Sequence, residues 1–337
     1  MFSAGSPLSS LDKKMIGLIV LVFSSRCYRP RIIFRILVRL SRLLYRIRGD
    51  KLVFNSKRFE EGAWVSKYKE NKSGNYSKSI ELVIVSTLKD FDILPDSIHY
   101  ALGALKPYTI GGTRVIVPTR DVAACRSLIA DFKSQVEIVD ESDLISQKLF
   151  QKLTEVFGSR NTWVLQQLLK VQAVLTSKSD GVLILDSDTV LLRSRPWFSC
   201  EGYQILMPSM EYNPSYYQFL HKLHISELVP KYSFISHHML MQPEILSNLL
   251  NSLDLLEMDA LINYICDNAN SNVQSPICIE YELYGQHLYN TEPRGYFLER
   301  WSNISISRRH SSTILKSKFA KLILRTFYNS VSFHSWS

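Results

Sequence analysis

GVLILDSDTVLLR, residues 181–193, is the stretch on which the reading of this chain turns. An apolar run from Gly181 to Leu185 ends in two carboxylates two residues apart, Asp186 and Asp188, and apolar character resumes at Thr189–Leu192. A short, continuous apolar run bounded by turn signals is a strand covered on both faces. Side chains at i and i+2 of an extended chain point the same way, so both carboxylates are expected on one side, where they repel unless a cation lies between them. A divalent ion there, Mn2+ or Mg2+, would neutralise a departing phosphate group. The plainer alternative is an acidic turn at a strand end.

Upstream, Ile80–Ser86 (IELVIVS), Thr113–Pro118 (TRVIVP) and Gln135–Asp140 (QVEIVD) repeat the strand signal, with Arg120–Lys133 helical between the last two. A βαβαβ progression of this kind implies a parallel sheet with right-handed crossovers. Ligands of open parallel sheets sit at the carboxyl ends of the strands, which points to Ser86, Thr87, Asp90 and Asp140. No GxGxxG follows the first strand and no GxxxxGK[ST] occurs, so dinucleotide-binding and P-loop enzymes are disfavoured. A bound diphosphate would need its positive charge from elsewhere.

Three further groups bear chemistry. Trp163, Gln166, Gln167 and Lys170 share one side of the helix before the acidic strand, where Gln167 and Lys170 could meet phosphate or sugar hydroxyls or simply form a solvated face. His237 and His238 interrupt the apolar run Tyr232–Met241; adjacent strand residues face opposite ways, so only one of the two can look into the site as a further ligand for a transition-type cation, the plainer alternative being one hydrogen-bonded core histidine and one at the surface. Glu280 and Glu282 offer a base for an acceptor hydroxyl, a holder of the acceptor, or helix caps.

The segments IELVIVSTLKDFD, RNTWVLQQLLKVQA, LILDSDTVLL, SFISHHMLM and IEYELYG, in that order between about Ile80 and Trp301, resemble a bacterial family of unknown function (domain of unknown function 6492) in the nucleotide-diphospho-sugar, or GT-A, glycosyltransferase superfamily. The resemblance implies an α/β fold of GT-A type with a mostly parallel sheet, a nucleotide pocket at Ser86, Thr87 and Asp90, and a metal clamp at Asp186 and Asp188. It implies a sugar moved from a nucleotide-sugar donor to a glycan or lipid-linked acceptor.

Two classes compete. Asp186-Ser187-Asp188-Thr189-Val190 also fits the DxDx[TV] signature of haloacid-dehalogenase-like phosphatases, with Asp186 as nucleophile, but about half the chain precedes it and no downstream DD or GDxxxD pair follows. A membrane-bound adaptor with a degenerate catalytic domain would have no need of both aspartates.

The formal charge of +9 is concentrated at the start of the chain: ten Lys and Arg against Asp12 and Asp50 leave a surplus of eight in the first fifty residues. A nucleic-acid-tracking protein would carry its charge across a whole face. Met15–Phe23 is apolar but shorter than the roughly 20 residues that span a bilayer. Arg31, Arg35, Arg39, Arg42 and Arg46 alternate at helical spacing with isoleucines and leucines, the pattern of a basic amphipathic helix lying on an anionic membrane. Five widely spaced cysteines without a CxxC pair fit a reducing compartment. The expected organisation is a membrane-associating arm over 1–50, a linker over 51–79, the GT-A-like domain over 80–305 and a basic tail over 306–337. The expected location is cytoplasmic, peripheral on the inner face of the membrane, with no nucleic-acid partner.

Overall fold

A computed structural model describes residues 78–132, 135–199, 201–209, 213–268, 279–291, 295–299 and 301–334. The arm and nearly all of the linker lie outside the described residues. The first strand, β1 (Ser79–Val85), sits in the middle of a five-stranded sheet with β2 (Thr109–Val117), β3 (Glu137–Asp140), β4 (Gly181–Asp186) and β7 (His238–Met241), in the order β3-β2-β1-β4-β7. The first four strands are parallel and β7 is antiparallel to β4. This is the α/β, mostly parallel architecture expected from the apolar runs.

Both faces of the sheet are covered, which explains why its strands read as unbroken apolar runs. Val83 and Val85 of β1, with Val182 and Ile184 of β4, pack into one core beside the helix Asn161–Leu175. Ile80, Leu82 and Ile84, with Leu183 and Leu185, enter a second core under the helix Leu94–Leu105. Each such aliphatic side chain, removed from water, contributes roughly 1.5–3 kcal/mol before the cost of ordering the chain.

Chain order matters for function. From β1 the chain moves outward to β2 and β3, then returns to the other side of β1 to form β4. The carboxyl ends of β1 and β4 therefore flank the point at which the winding reverses, where open α/β sheets leave a crevice. Val85, the last residue of β1, is registered opposite Asp186, the last of β4.

The segment expected to be a basic tail is instead part of the fold. β10 (Ser330–His334) pairs antiparallel with β5 (Thr189–Leu191) and parallel with β9 (Asn303–Ser307). Ile314, Leu315, Ala320, Leu324, Val331 and Phe333 form a third core with Val190 and Leu192. The basic composition had masked an amphipathic helix, Lys318–Phe327, whose apolar side is buried. Two short strands, β6 (Gln204–Leu206) and β8 (Tyr296–Leu298), make a separate parallel pair.

Boundaries differ where turn geometry overrides pattern. The strand expected over Tyr232–Met241 is regular only from His238, because His237 takes a left-handed backbone (φ 61°). No helix of the described residues is long and apolar enough to cross a membrane.

Candidate functional site

Asp186 and Asp188 are not on one extended strand as expected. Ser187 and Asp188 form a turn between β4 and β5, so Asp186 leaves from the end of β4 and Asp188 from the turn that precedes β5. They are brought together by their partners. The Asp186 amide donates to the His237 carbonyl at 3.0 Å, continuing the β4–β7 ladder past Leu185, and this carries the His237 ring to the carboxylate, with Nδ1 3.2 Å from Oδ2. On the other side the Phe333 amide donates to the Asp188 carbonyl at 2.9 Å, so the next residue, His334, lies against Asp188 with Nδ1 3.1 Å from Oδ2. The two imidazoles are themselves adjacent, their centroids 5.2 Å apart.

Asp186 also faces a buried cation. Lys170 Nζ donates to Asp186 Oδ1 and to Glu280 Oε1, both at 2.7 Å, and the Tyr281 hydroxyl donates to Asp186 Oδ1 at 2.9 Å. Burial alone would raise the Asp186 pKa, but Lys170 and then His237 hold it well below the ordinary carboxylate range. Lys170 is likewise held well above the usual lysine value, its two carboxylate neighbours overcoming desolvation. Glu280 is raised, burial outweighing its contact with Lys170. Its second oxygen, Oε2, is buried with no hydrogen-bond partner among the described residues.

The turn itself is fixed from below. Ser187 Oγ donates to Asp90 Oδ2 at 2.6 Å, and Ser97 Oγ donates to the Ser187 carbonyl at 3.0 Å. Asp90 is in turn held by Arg308 Nη1 at 2.6 Å, whose other guanidinium nitrogens pair with Asp92. Asp90 thus stands beside the acidic turn, as a ligand-edge residue should, but both its oxygens are engaged. Ser86 and Thr87, at the end of β1, carry hydroxyl oxygens that are buried and unpartnered among the described residues. Asp140 lies at the end of β3, where it caps the following turn through the Ser142 amide at 2.9 Å.

Three expected site residues are turned elsewhere. His238 is on the opposite side of the strand from His237: its ring lies 4.1 Å from that of Trp301 and 5.4 Å from that of Trp197, with Nδ1 2.8 Å from the Ser236 carbonyl. Burial lowers its pKa to about 4, so it is a neutral core residue rather than a ligand beside Asp186. Gln167 accepts from the Ile279 amide at 2.9 Å through its buried Oε1, so it anchors the segment that delivers Glu280. Glu282, fully buried, accepts from the Tyr217 hydroxyl, Ser233 Oγ, the Phe234 amide and Gln286 Nε2, which leaves no capacity for an acceptor sugar. Its helix, Tyr281–Thr291, approaches Phe234 so closely that a Cβ on Gly285 would lie 2.6 Å from that side chain.

Three residues absent from the sequence-based set join the site: Tyr281, His334 and Arg308. Tyr281 lies between the two expected glutamates, whereas no local signal marks His334 or Arg308. His334 reaches Asp188 only through pairing of β5 with β10, across 146 positions of chain.

As a donor set, two carboxylates and two imidazoles fit a divalent cation of manganese type. In the arrangement described, each carboxylate is paired with its own histidine, and among the described residues no group of three or more His, Cys, Asp or Glu converges to hold a metal ion. Asp186 and Glu280 share a single lysine, Lys170, and Asp188 lies beside them against His334.

Fold and site define an α/β protein with acidic, histidine-flanked strand ends at the switch point of a mostly parallel sheet. Residues 80–204 match a family described as a family of unknown function (DUF6492). No curated protein matches the chain in sequence. Among solved structures, the chain is similar to mouse xyloside xylosyltransferase 1 in its apo form (12% identity, TM-score 0.40, covering 76% of this chain and 98% of that one). It is also similar to the WbbM bifunctional glycosyltransferase (13% identity, TM-score 0.40, 77% of this chain and 46% of that one). A third is the glycosyltransferase GlyE of Streptococcus pneumoniae TIGR4 (11% identity, TM-score 0.36, 77% and 55%). The chain thus spans about half the length of the last two.

Proposed function

We propose that the protein is a metal-dependent glycosyltransferase that takes a sugar from a nucleoside-diphosphate donor bound across the carboxyl ends of β1 and β4. The observation that carries this reading is the position of Asp186, Asp188, His237 and His334 together at the topological switch point, beside the unpartnered hydroxyls of Ser86 and Thr87. Asp186, Asp188, His237 and His334 would hold Mn2+ or Mg2+, which supplies neutralisation of the diphosphate leaving group. Ser86 and Thr87 face the nucleoside end of the donor. Asp90 and Arg308 fix the turn that presents Asp188, and Lys170 keeps Asp186 ionised.

Glu280 is the carboxylate suited to the acceptor. Its unengaged oxygen and raised pKa favour drawing a proton from a sugar hydroxyl, while Lys170 holds its other oxygen in place. The acceptor we assign is a glycan or lipid-linked glycan, presented at the cytoplasmic face of an anionic membrane on which the amphipathic arm of residues 31–48 lies. The test is incubation of the full chain with a panel of nucleotide sugars and Mn2+ or Mg2+. Release of nucleoside diphosphate from at least one donor, abolished by chelation, is the expected result. No release from any donor, or a phosphoaspartate trapped at Asp186, would overturn the reading in favour of a binding protein or a phosphatase.

A further inference from the structure

The exposed face of the helix Lys318–Phe327 carries basic side chains around an exposed leucine, far from the arm in the chain. The relevant chemistry begins with where charge lies along the chain. No Asp or Glu follows Glu299, while seven Lys and Arg do; with the surplus of eight in the first fifty residues, the intervening stretch from 51 to 299 is left with a net charge of minus six. A body that is itself acidic is repelled by an anionic membrane, so its docking needs basic surface concentrated on one side.

The helix supplies it. Lys318, Leu322 and Arg325 recur at spacings of four and three and all three are exposed, Leu322 by 50%, whereas Ala320 and Leu324 are buried in the third core. Lys316, just before the helix, is exposed as well. None of Lys316, Lys318 and Arg325 has a carboxylate partner among the described residues. Lys321 is different: it lies 5.3 Å over the ring of Tyr100 and influences Asp96, so it belongs to the packing of the body.

We infer that this face, with Lys316, Lys318 and Arg325 around Leu322, docks on the headgroup plane of an anionic bilayer. The combination is what selects lipid: the cations meet headgroups and the leucine reaches the acyl boundary, which a phosphate backbone of nucleic acid would not reward. The basic first fifty residues are repelled by such a face and are no occupant for it. Docking here does not depend on the proposed chemistry. It does bear on it, because ten residues beyond the buried Leu324 the chain reaches His334 at the candidate site.

The experiment uses the full chain, with vesicles of phosphatidylcholine alone or mixed with phosphatidylglycerol, and reads both cosedimentation and backbone hydrogen exchange. Expected is slowed exchange over residues 316–327 with the anionic vesicles only. In the variant Lys316→Gln/Lys318→Gln/Arg325→Gln that slowing should disappear, and vesicle affinity should fall at least about tenfold, given a contribution on the order of 1 kcal/mol per cation near the surface. A second variant, Leu322→Gln, should retain binding at low salt and lose most of what survives at high salt. Protection confined to residues 1–50, or unchanged affinity of the triple variant, overturns the inference. So does protection of the helix by a single-stranded oligonucleotide but not by vesicles, or by raised protein concentration alone, which would assign the face to nucleic acid or to a second copy of the chain.

Discussion

The two edges of the central sheet each bury ionic groups, and they solve the problem differently. At the amino edge the charges are matched one to one: the buried Glu81 pairs with Arg114, and at the exposed margin Lys78 pairs with Asp180 at 3.2 Å. The remaining capacity is used up as well, since Arg114 also donates to the Ala173 carbonyl at 2.7 Å and to Thr176 Oγ1 at 3.1 Å, while Glu81 accepts from Ser177 Oγ at 2.5 Å. At the carboxyl edge Asp186 and Glu280 share Lys170 while Asp188 lies against His334, and among the described residues hydroxyls on Ser86 and Thr87 and one oxygen of Glu280 are left unpartnered. A satisfied network holds strands in place. An unbalanced one is the place where the divalent cation proposed above would offset the surplus negative charge.

The largest effect that separates the edges is expected from Asp188→Asn. Removing one of the excess carboxylates should lower metal-dependent release of nucleoside diphosphate by roughly 100-fold or more, the scale typical of losing a group that stabilises developing charge. The unfolding midpoint should hardly move, because Asp188 supports no core. Donor turnover within threefold of the native protein would show that the carboxylate excess has no catalytic meaning.

Next in size is the paired comparison of Lys170→Met with Arg114→Met. Each strips the cation from buried carboxylates, so each should cost about 3–5 kcal/mol in denaturant unfolding. Activity should tell them apart. Arg114→Met should turn over donor normally at temperatures where it is folded, whereas Lys170→Met should not, since Asp186 and Glu280 lose both their common anchor and the field that keeps Asp186 ionised. Equal turnover in the two variants would place Lys170 with the structural set.

A smaller, pH-dependent effect belongs to His238, which the core holds neutral down to about pH 4, whereas an unperturbed imidazole titrates near 6.5. Between those values the unfolded chain binds the proton and the folded chain does not. Stability is therefore complete above about pH 6.5 and falls as pH drops toward 4, by up to about 3 kcal/mol. Urea unfolding of His238→Phe across this range should lack that slope; a slope equal to the native one would assign it to other groups.

The sequence made the amino-to-carboxyl grain of this sheet legible and left its tertiary partners hidden. Strands buried on both faces announce themselves by composition, so β1 and β4 were readable, as was the placement of Ser86 and Asp186 at one edge. The period-2 rule correctly demanded that His237 and His238 part ways, but which one faced Asp186 depended on the left-handed turn at His237. Glu280 and Glu282 look alike in sequence; only the packing of Tyr217, Ser233 and Phe234 around Glu282 reveals that it is fully engaged. His334 was illegible for a stronger reason: its role is created by a strand pairing between segments more than a hundred residues apart, within a stretch whose composition reads as a polycationic tail.

The smallest predicted effect sharpens the comparison most, because it asks whether an unpartnered group awaits a ligand. Ser86 is fully buried, its amide donates to the Ile116 carbonyl at 2.9 Å, and its hydroxyl has no partner among the described residues. A buried hydroxyl without a partner costs free energy, so Ser86→Ala should leave unfolding stability unchanged or raise it by up to about 1 kcal/mol. If the hydroxyl is instead satisfied by bound donor, the same change should weaken nucleoside-diphosphate affinity by roughly fivefold, the worth of one neutral hydrogen bond. The two measurements must move in opposite directions for the crevice to be a donor site. Loss of stability together with unchanged affinity in calorimetric titration would mean that Ser86 supports the fold in the way Glu81 does, and the contrast between the two edges would fail at β1.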